Sequence, residues 1–482
     1  MRKIFTLVIF IVLLISISCN IQKKSPLQIE VSVADSLYSK PISGKILVLF
    51  HKDTNAQLIW GPNPFNPQPF YRIDFKNWDT KEPLTIDKFN NWWTNPIDSL
   101  NGIYAMQLVV DCDNTERDYL AEGNSYSKKQ TIKFNNENIN IAVKVEKETP
   151  FWEFEESQFI KEELFQSNSL TSFWKSPMYI KAGVVLPESY FIETEKEFSV
   201  VYVFPGFASH HATVSVHKGQ INRYGMNTVG DDKIFVFCNG EFHQGYHHFA
   251  DSENNGPWGQ AFTEEFIQYI ESKYRIKKNK RFLIGQSSGA WTSIWLQVNY
   301  PELFESAFAG APDPIDFRAM GNNIYRKNAN FYISNKTDST SLKNSEFNKQ
   351  WALMEETINE YNQFKTWEST YSQKNKKGNH FQLFDRETGE IYPEIAEQWK
   401  KYDISLIIQS DPDYYREKLK GKIHIFVSND DDYGLDESIR LYKDIVDSLN
   451  FKSDIQFLNG LGHNVWTDDL RKHIHEIIDN KK

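Results

Sequence analysis

Gly285-Gln286-Ser287-Ser288-Gly289 is the stretch of this 482-residue chain whose residue types and spacing point most directly to chemistry. The apolar run Arg281–Ile284 leads into it and the helix-compatible run Ala290–Val298 leaves it. In the context strand, GxSxG, helix, the two glycines permit a strained turn that lifts the serine hydroxyl clear of its neighbours. Ser287 is therefore the expected nucleophile, and the backbone N–H of Ser288, the next residue, is an expected oxyanion donor. A second donor is needed, each such group being worth roughly 3 kcal/mol in the transition state. Pro205-Gly206-Phe207 follows the strand-like run Phe198–Phe204, and the Phe207 N–H is the candidate. In this arrangement the acid and then the base follow the nucleophile in chain order. The base is then His463, in the glycine-rich loop after the run Ser453–Leu458. The acid should end the strand Lys422–Val427, where Asp430, Asp431 and Asp432 compete and spacing does not choose among them. A neutral imidazole would take the Ser287 proton and return it to a leaving alcohol. His210, Tyr246, His248 and Trp258 precede or follow loop turns upstream of the nucleophile and are candidates for the substrate pocket, not the base.

The elements that must position these residues fall into two halves. From residue 28 to about 150 the chain shows short alternating or β-branched runs (Ile29–Val33, Gly44–Phe50, Ile103–Val110, Gln130–Phe134, Ile139–Val145) separated by turn residues, which predicts a β-sandwich-like accessory domain. The segment Trp60–Tyr71 holds four prolines, cannot pair as a central strand, and is expected to be an extended aromatic loop that packs against the neighbouring domain. From 151 to 482 the grammar changes. A helix is expected around Gln158–Phe165, and the buried-type strands Phe198–Phe204, Lys233–Phe237 and Arg281–Ile284, with a helix over Phe262–Lys273, predict an α/β domain with a mostly parallel sheet covered by helices. The segment 317–399 is longer than a simple crossover and is expected to form a lid over the site.

Composition narrows the function. Forty per cent hydrophobic and 24% charged residues are ordinary globular proportions, and a net charge of −10 without a Lys/Arg-rich run argues against nucleic acid as a partner. Aromatic residues make up 15% of the chain, more ring surface than a core needs. The acidic runs Asp111–Asn114 and Asp430–Asp432 lack the spaced Asp/Asn, Gly and terminal Glu of a calcium loop, so no metal is expected, and the chemistry above requires no cofactor. At the N-terminus, Met1-Arg2-Lys3 and the apolar stretch Ile4–Ile17 read as a secretory signal. It ends in Ser18-Cys19, similar to the processing box of bacterial lipoproteins, which implies lipidation at Cys19, a polar tether over 20–27 and attachment to the cell envelope. The two other cysteines, Cys112 and Cys238, are too far apart in sequence to suggest a disulfide framework.

From about Trp174 onward the chain resembles the esterase branch of the α/β-hydrolase superfamily, the group with feruloyl esterases, enterochelin esterases, esterase D-like thioesterases and mycolyltransferases. The residues that carry the resemblance are Pro205-Gly206-Phe207, Gly285–Gly289 followed by Asn299–Phe304, and Gly462-His463-Asn464. Phe249–Gly259 and Leu383–Gly389 are similar to secreted bacterial esterases of this branch that also bear an extra N-terminal β-rich region. The resemblance implies an α/β-hydrolase fold and a serine carboxylic-ester hydrolase working through an acyl-enzyme on a small ester or an acylated glycan. It also implies Asp431 as the acid, because an aromatic residue (Tyr433) and a leucine (Leu435) follow it. An acyltransferase using the same residues, and a non-catalytic carbohydrate-binding lipoprotein, are the alternatives.

Overall fold

The computed structural model describes residues 25–113, 115–135, 137–149, 153–226, 228, 230–333 and 339–481. Cys19, the signal-like segment and the tether as far as residue 24 lie outside the described residues. The chain divides into two compact units: residues up to Gly61 with Gln68–Val110 and Ser125–Lys147, and Pro62–Pro67 with Asp111–Asn124 and Glu148–Lys482.

The first unit is one sheet. Its strands are β1 (Leu27–Val33), β2 (Ile42–His51), β3 (Phe70–Trp78), β4 (Leu84–Ile86), β5 (Asn91–Trp93), β6 (Gly102–Asp111), β7 (Ser125–Ser127), β8 (Gln130–Phe134) and β9 (Ile139–Glu148). They bond in the order β4-β1-β9-β7-β6-β2-β3-β5, with β8 also on β6. Two facing sheets were expected from the alternation. Instead the sheet curls, so that alternate residues of distant strands, such as Ile29, Val48, Tyr71 and Met106, share one core. Period-two alternation identifies strands with one buried face, but it does not say whether that face meets a second sheet or its own continuation.

The second unit begins with β10 (Ile160–Gln166), which pairs antiparallel with β11 (Tyr179–Val185). This corrects the helix expected over Gln158–Phe165. The run pairs along its full length, and the helix starts only after it, at Asn168, where the Ser167 hydroxyl accepts the Leu170 N–H. The remaining strands are β12 (Phe198–Phe204), β13 (Ile234–Cys238), β14 (Ile276–Gln286), β15 (Ser306–Gly310), β16 (Ile423–Ser428) and β17 (Asp454–Leu458). The sheet order is β10-β11-β13-β12-β14-β15-β16-β17, parallel from β13 to β17. β12 is buried at every position, as a parallel strand covered on both faces must be. The helices that matter below are α1 (Ser288–Asn299), α2 (Ser339–Ile358), α3 (Gln363–Tyr371), α4 (Asp436–Ser448) and α5 (Asp468–Asn480). Among the described residues no helix is long and apolar enough to cross a membrane. Cys238 is buried and Cys112 is partly exposed, and no disulfide joins the two.

Between β15 and β16 the chain makes the long excursion that carries α2 and α3. Glu355 of α2 is fully buried there: one carboxylate oxygen accepts the Lys365 N–H at 2.9 Å and the other has no hydrogen-bond partner. Burial pushes its carboxyl up to about 8, against the pull of Arg386 and Lys365. Between the ordinary glutamate range and this raised value the folded state holds a proton that the unfolded chain has lost, so this group's contribution to stability falls as pH rises through that window. Glu355→Gln keeps the acceptor and removes the titration. Its melting temperature relative to the parent should be higher at about pH 8.5 than at about pH 5. A difference that does not vary with pH, read by thermal unfolding in the two buffers, contradicts this account.

Candidate active site

β14 ends at Gln286 and α1 starts at Ser288, which leaves Ser287 alone in the turn at φ 56° and ψ −123°. A non-glycine residue in this region is strained by about 1–3 kcal/mol and persists only where its surroundings fix it. Here the Ser287 N–H donates to Gly310 O at 2.9 Å, and its carbonyl accepts from Ala290, Trp291 and Asp313 N–H groups at 2.9, 3.1 and 3.2 Å. The turn also packs against the end of β12 more closely than side chains permit. A Cβ on Gly289 would stand 1.9 Å from Phe204 O, and one on Gly206 would stand 3.3 Å from Ser287 Cβ. Gly289 is thus required by close approach, while a side chain at Gly206 would need its neighbours to give by a few tenths of an ångström.

That approach brings Pro205-Gly206-Phe207 beside Ser287. Among the described residues no acceptor takes the N–H of Phe207 or of Ser288, so both are free to meet a developing oxyanion. The loop is held from behind: the Ala208 N–H donates to Glu241 Oε1 at 2.7 Å and the Tyr246 hydroxyl to Pro205 O at 3.0 Å. Glu241 is itself ion-paired with Arg117, whose guanidinium lies 4.3 Å from the centre of the Phe207 ring. Burial pushes the Glu241 carboxyl up and Arg117 opposes that, so removing either partner would strand a buried charge.

The base loop is fixed with similar redundancy. His463 Nδ1 lies 2.8 Å from Asp431 Oδ2, and Asp431 Oδ1 accepts the N–H groups of Tyr433 and Leu435 at 2.9 and 3.2 Å. The three neighbouring carboxylates therefore separate by contact. Asp431 meets the imidazole, Asp432 accepts the His463 backbone N–H at 2.9 Å, and Asp430 accepts that of Gly460 at 2.9 Å. Gln286, next to Ser287, donates to His463 O at 2.8 Å and accepts from Trp466 Nε1 at 2.6 Å, tying the elbow to the histidine loop. Ser287 and His463 line one cavity. The Ser287 hydroxyl, however, donates to Asp313 Oδ1 at 3.3 Å, and no hydrogen bond joins it to the imidazole. In an unliganded site such a contact commonly forms only once substrate is bound, and rotation about one side-chain bond frees the hydroxyl from Asp313.

The cavity holds about 360 Å³, and its wall combines rings, among them Phe207, Phe331, Trp351, Phe364 and Trp367, with polar groups such as Arg223, Asn348 and Gln363. Much of that wall comes from the 317–399 excursion. The aromatic loop also reaches it, because Phe65, on the Pro62–Pro67 segment counted with this unit, packs 4.6 Å from Phe347 and 6.0 Å from Tyr433, itself edge-on to His463 at 4.8 Å between centroids. The four residues expected to bind substrate do not line the cavity. Tyr246 is buried and braces Pro205. His248 is buried and bonds Thr370 Oγ1 at 3.2 Å, and Trp258 stacks on His247 with ring centroids 3.5 Å apart. His210, partly buried, accepts the Ala212 N–H at 3.2 Å, and burial with the neighbouring His211 lowers it to about 3. Short loops crowded with aromatic and histidine residues look alike in sequence whether they face a ligand or fill a core. Conversely, Asp313, Gln286, Arg117 and Glu241 were not singled out by the sequence. Asp313 alone had a signal, a polar residue just past a strand adjacent to the nucleophile's.

A parallel sheet with a serine on a strained strand-to-helix turn, and a histidine and carboxylate on the loops after the last two strands, defines the α/β-hydrolase fold. The profile of the family described as "Putative esterase" matches residues 177–456, more than half of the chain. The chain belongs to this family and is an esterase. Solved structures similar to it include a ferulic acid esterase (15% identity, covering 66% of this chain and 98% of that one, TM-score 0.42). Others are the Staphylococcus aureus fluorophosphonate-binding serine hydrolase F (13%, 66% and 97%, TM-score 0.42) and an S-formylglutathione hydrolase from Agrobacterium tumefaciens (13%, 68% and 95%, TM-score 0.40). No curated protein matches the chain.

Gln286→Leu removes both bonds that tie the elbow to the histidine loop. It should lower kcat on a soluble ester about 10- to 100-fold while KM changes less than about threefold, since misplacing a base by an ångström costs rate and not ground-state binding. An unaltered kcat in steady-state assays would show that Gln286 does not position the base.

Proposed function

We propose that the protein is a serine carboxylic-ester hydrolase in which Ser287 is the nucleophile, His463 the general base, Asp431 its orienting carboxylate, and the N–H groups of Phe207 and Ser288 the oxyanion hole. The observation that carries this reading is the pairing of a serine on a strained, partly buried turn with a carboxylate-bound imidazole on the same cavity wall. With Nδ1 occupied by Asp431, the ring presents Nε2 as its free nitrogen. Ser287 Oγ attacks the ester carbon as its proton passes to Nε2, and the carbonyl electron pair moves onto an oxygen held by the two N–H groups. Collapse expels the alcohol, which takes the proton from Nε2. Water then repeats the sequence on the acyl-enzyme and frees the acid. Asp431 holds the ring and balances the imidazolium charge throughout.

The ring-lined cavity supports esters whose acyl or alcohol part carries a flat apolar group, of the size that about 360 Å³ admits. Small aryl esters and acylated glycans with such a group both meet that description. We also propose attachment to the cell envelope through a lipid on Cys19, on the strength of the signal-like segment and Ser18-Cys19.

Ser287→Ala should reduce p-nitrophenyl ester hydrolysis by about 10⁴-fold or more with unchanged circular dichroism; retained turnover would exclude the assignment. Across an ester series, kcat/KM should rise from acetyl to ring-bearing acyl groups, and a flat or reversed series contradicts the reading of the cavity.

A further inference from the structure

Asp313 stands three residues beyond the end of β15, the strand next to the nucleophile's, and it is almost completely buried at 4% exposure. Four donors converge on it. Oδ2 accepts from Ser288 Oγ at 2.7 Å, from Trp367 Nε1 at 3.1 Å and from Gln363 Nε2 at 3.2 Å, while Oδ1 accepts from Ser287 Oγ at 3.3 Å. Its backbone N–H donates to the Ser287 carbonyl. Oδ2 is thus saturated by structural donors from the elbow and from α3. Oδ1 holds only the nucleophile, by the longest of the four contacts. A carboxylate with one oxygen committed to the scaffold and the other to a reacting atom is arranged differently from one that merely fills a buried space.

Resting on the reading of Ser287 and His463 given above, we propose that Asp313 is a second carboxylate of the catalytic site: it parks the Ser287 hydroxyl in the free enzyme and, when that hydroxyl turns to His463, its exposed charge stabilises the imidazolium formed on proton transfer. No bond to Asp313 is made or broken. The Ser287 proton goes to Nε2 of His463, the Oγ electron pair forms the new bond to the acyl carbon, and Asp313 stays an anion that has exchanged a hydroxyl for a nearby cation. Asp313, Ser287 and His463 line the same cavity. Burial pushes the Asp313 carboxyl up, and the Ser288 and Trp367 bonds, a charge on His463 and the Ser287 bond pull it down. The groups around the pair are few. Asp313 faces Ser287 and Ser288 from the elbow, Gln363, Trp367 and Tyr371 from α3, and Tyr433 from the loop after β16; His463 faces Asp431, Asp432 and Tyr433 from that same loop. Arg223 and Glu437 also line the cavity.

The test is Asp313→Asn, which keeps an oxygen toward Ser288, Trp367 and Gln363, places an amide NH2 where Oδ1 accepted the Ser287 hydroxyl, and removes the charge. In the acid limb of kcat/KM, which reports protonation of the free enzyme's base, loss of a neighbouring anion makes imidazolium easier to deprotonate. The limb should therefore move to lower pH, by roughly half a unit or more, and the plateau should fall about tenfold with KM little changed. Asp313→Ala should show the same displacement of the limb with a larger loss of rate and a lower melting temperature. If Asp313→Asn retains the parental pH profile, or loses activity only in proportion to a lowered melting temperature, Asp313 is a structural residue and the proposal fails. That failure is separable from failure of the Ser287 assignment, because Ser287→Ala would remain inactive.

Discussion

A serine backbone held at positive φ between a buried parallel strand and a helix is the constraint on which the rest of the catalytic unit depends, because such a turn exists only while its neighbours forbid every relaxed alternative. β12 and β15 flank β14, and each contributes directly. The end of β12 leaves no room for a side chain at Gly289, and Gly310 at the end of β15 accepts the Ser287 N–H. The same closeness that strains the turn also delivers the oxyanion loop, since Pro205-Gly206-Phe207 continues β12 past the point of contact. The strained turn and the nearness of the Phe207 loop to Ser287 are thus consequences of one packing arrangement. The hydrophobic burial of these strands, at about 25 cal/mol per Å² of apolar surface, supplies the stabilisation that keeps them there.

Around that turn the polar groups are arranged as supports in layers. Gln286 joins the elbow to the histidine loop, Asp431 and Asp432 fix the ring and the backbone of His463, and the Arg117–Glu241 pair and Tyr246 brace the oxyanion loop from the side away from the cavity. A binding or catalytic constellation needs such outer support to hold its geometry within fractions of an ångström. The excursion between β15 and β16 adds a wall that holds several rings. It is also linked to the elbow, because Trp367 and Gln363 of α3 donate to the same carboxylate that holds Ser287.

Much of this was legible in the sequence. The bounds of β12 and of β8 follow directly from their patterns, and Gly285–Gly289 between a strand and a helix announces the turn because the chemistry demands small residues at fixed offsets. His463 and the acidic triplet could be named from chain order. What could not be read is what depends on pairing across long sequence distance. Spacing alone does not distinguish Asp431, which the resemblance implied through Tyr433 and Leu435, from Asp430 and Asp432; their contacts diverge through the loop opposite. Arg117 meets Glu241 across more than a hundred residues, and Tyr246 turns inward because Pro205 O needs a donor. In the N-terminal unit the alternation identified strands correctly, but the aromatic stretch masked β3, and one curled sheet replaced the expected pair. The segment Gln158–Phe165 became a strand because an edge of β11 was open to it, a tertiary preference that overrides local helical propensity.

The central claim is that Ser287 is the activated nucleophile and that His463 activates it. The most direct measurement is covalent labelling with a fluorophosphonate, followed by intact-mass analysis and peptide mapping of the parent chain and of His463→Ala. The account predicts one adduct per chain, on Ser287, formed at least about a hundredfold more slowly without the imidazole. An adduct on Ser288 or elsewhere, or labelling of Ser287 that does not respond to loss of His463, would contradict it.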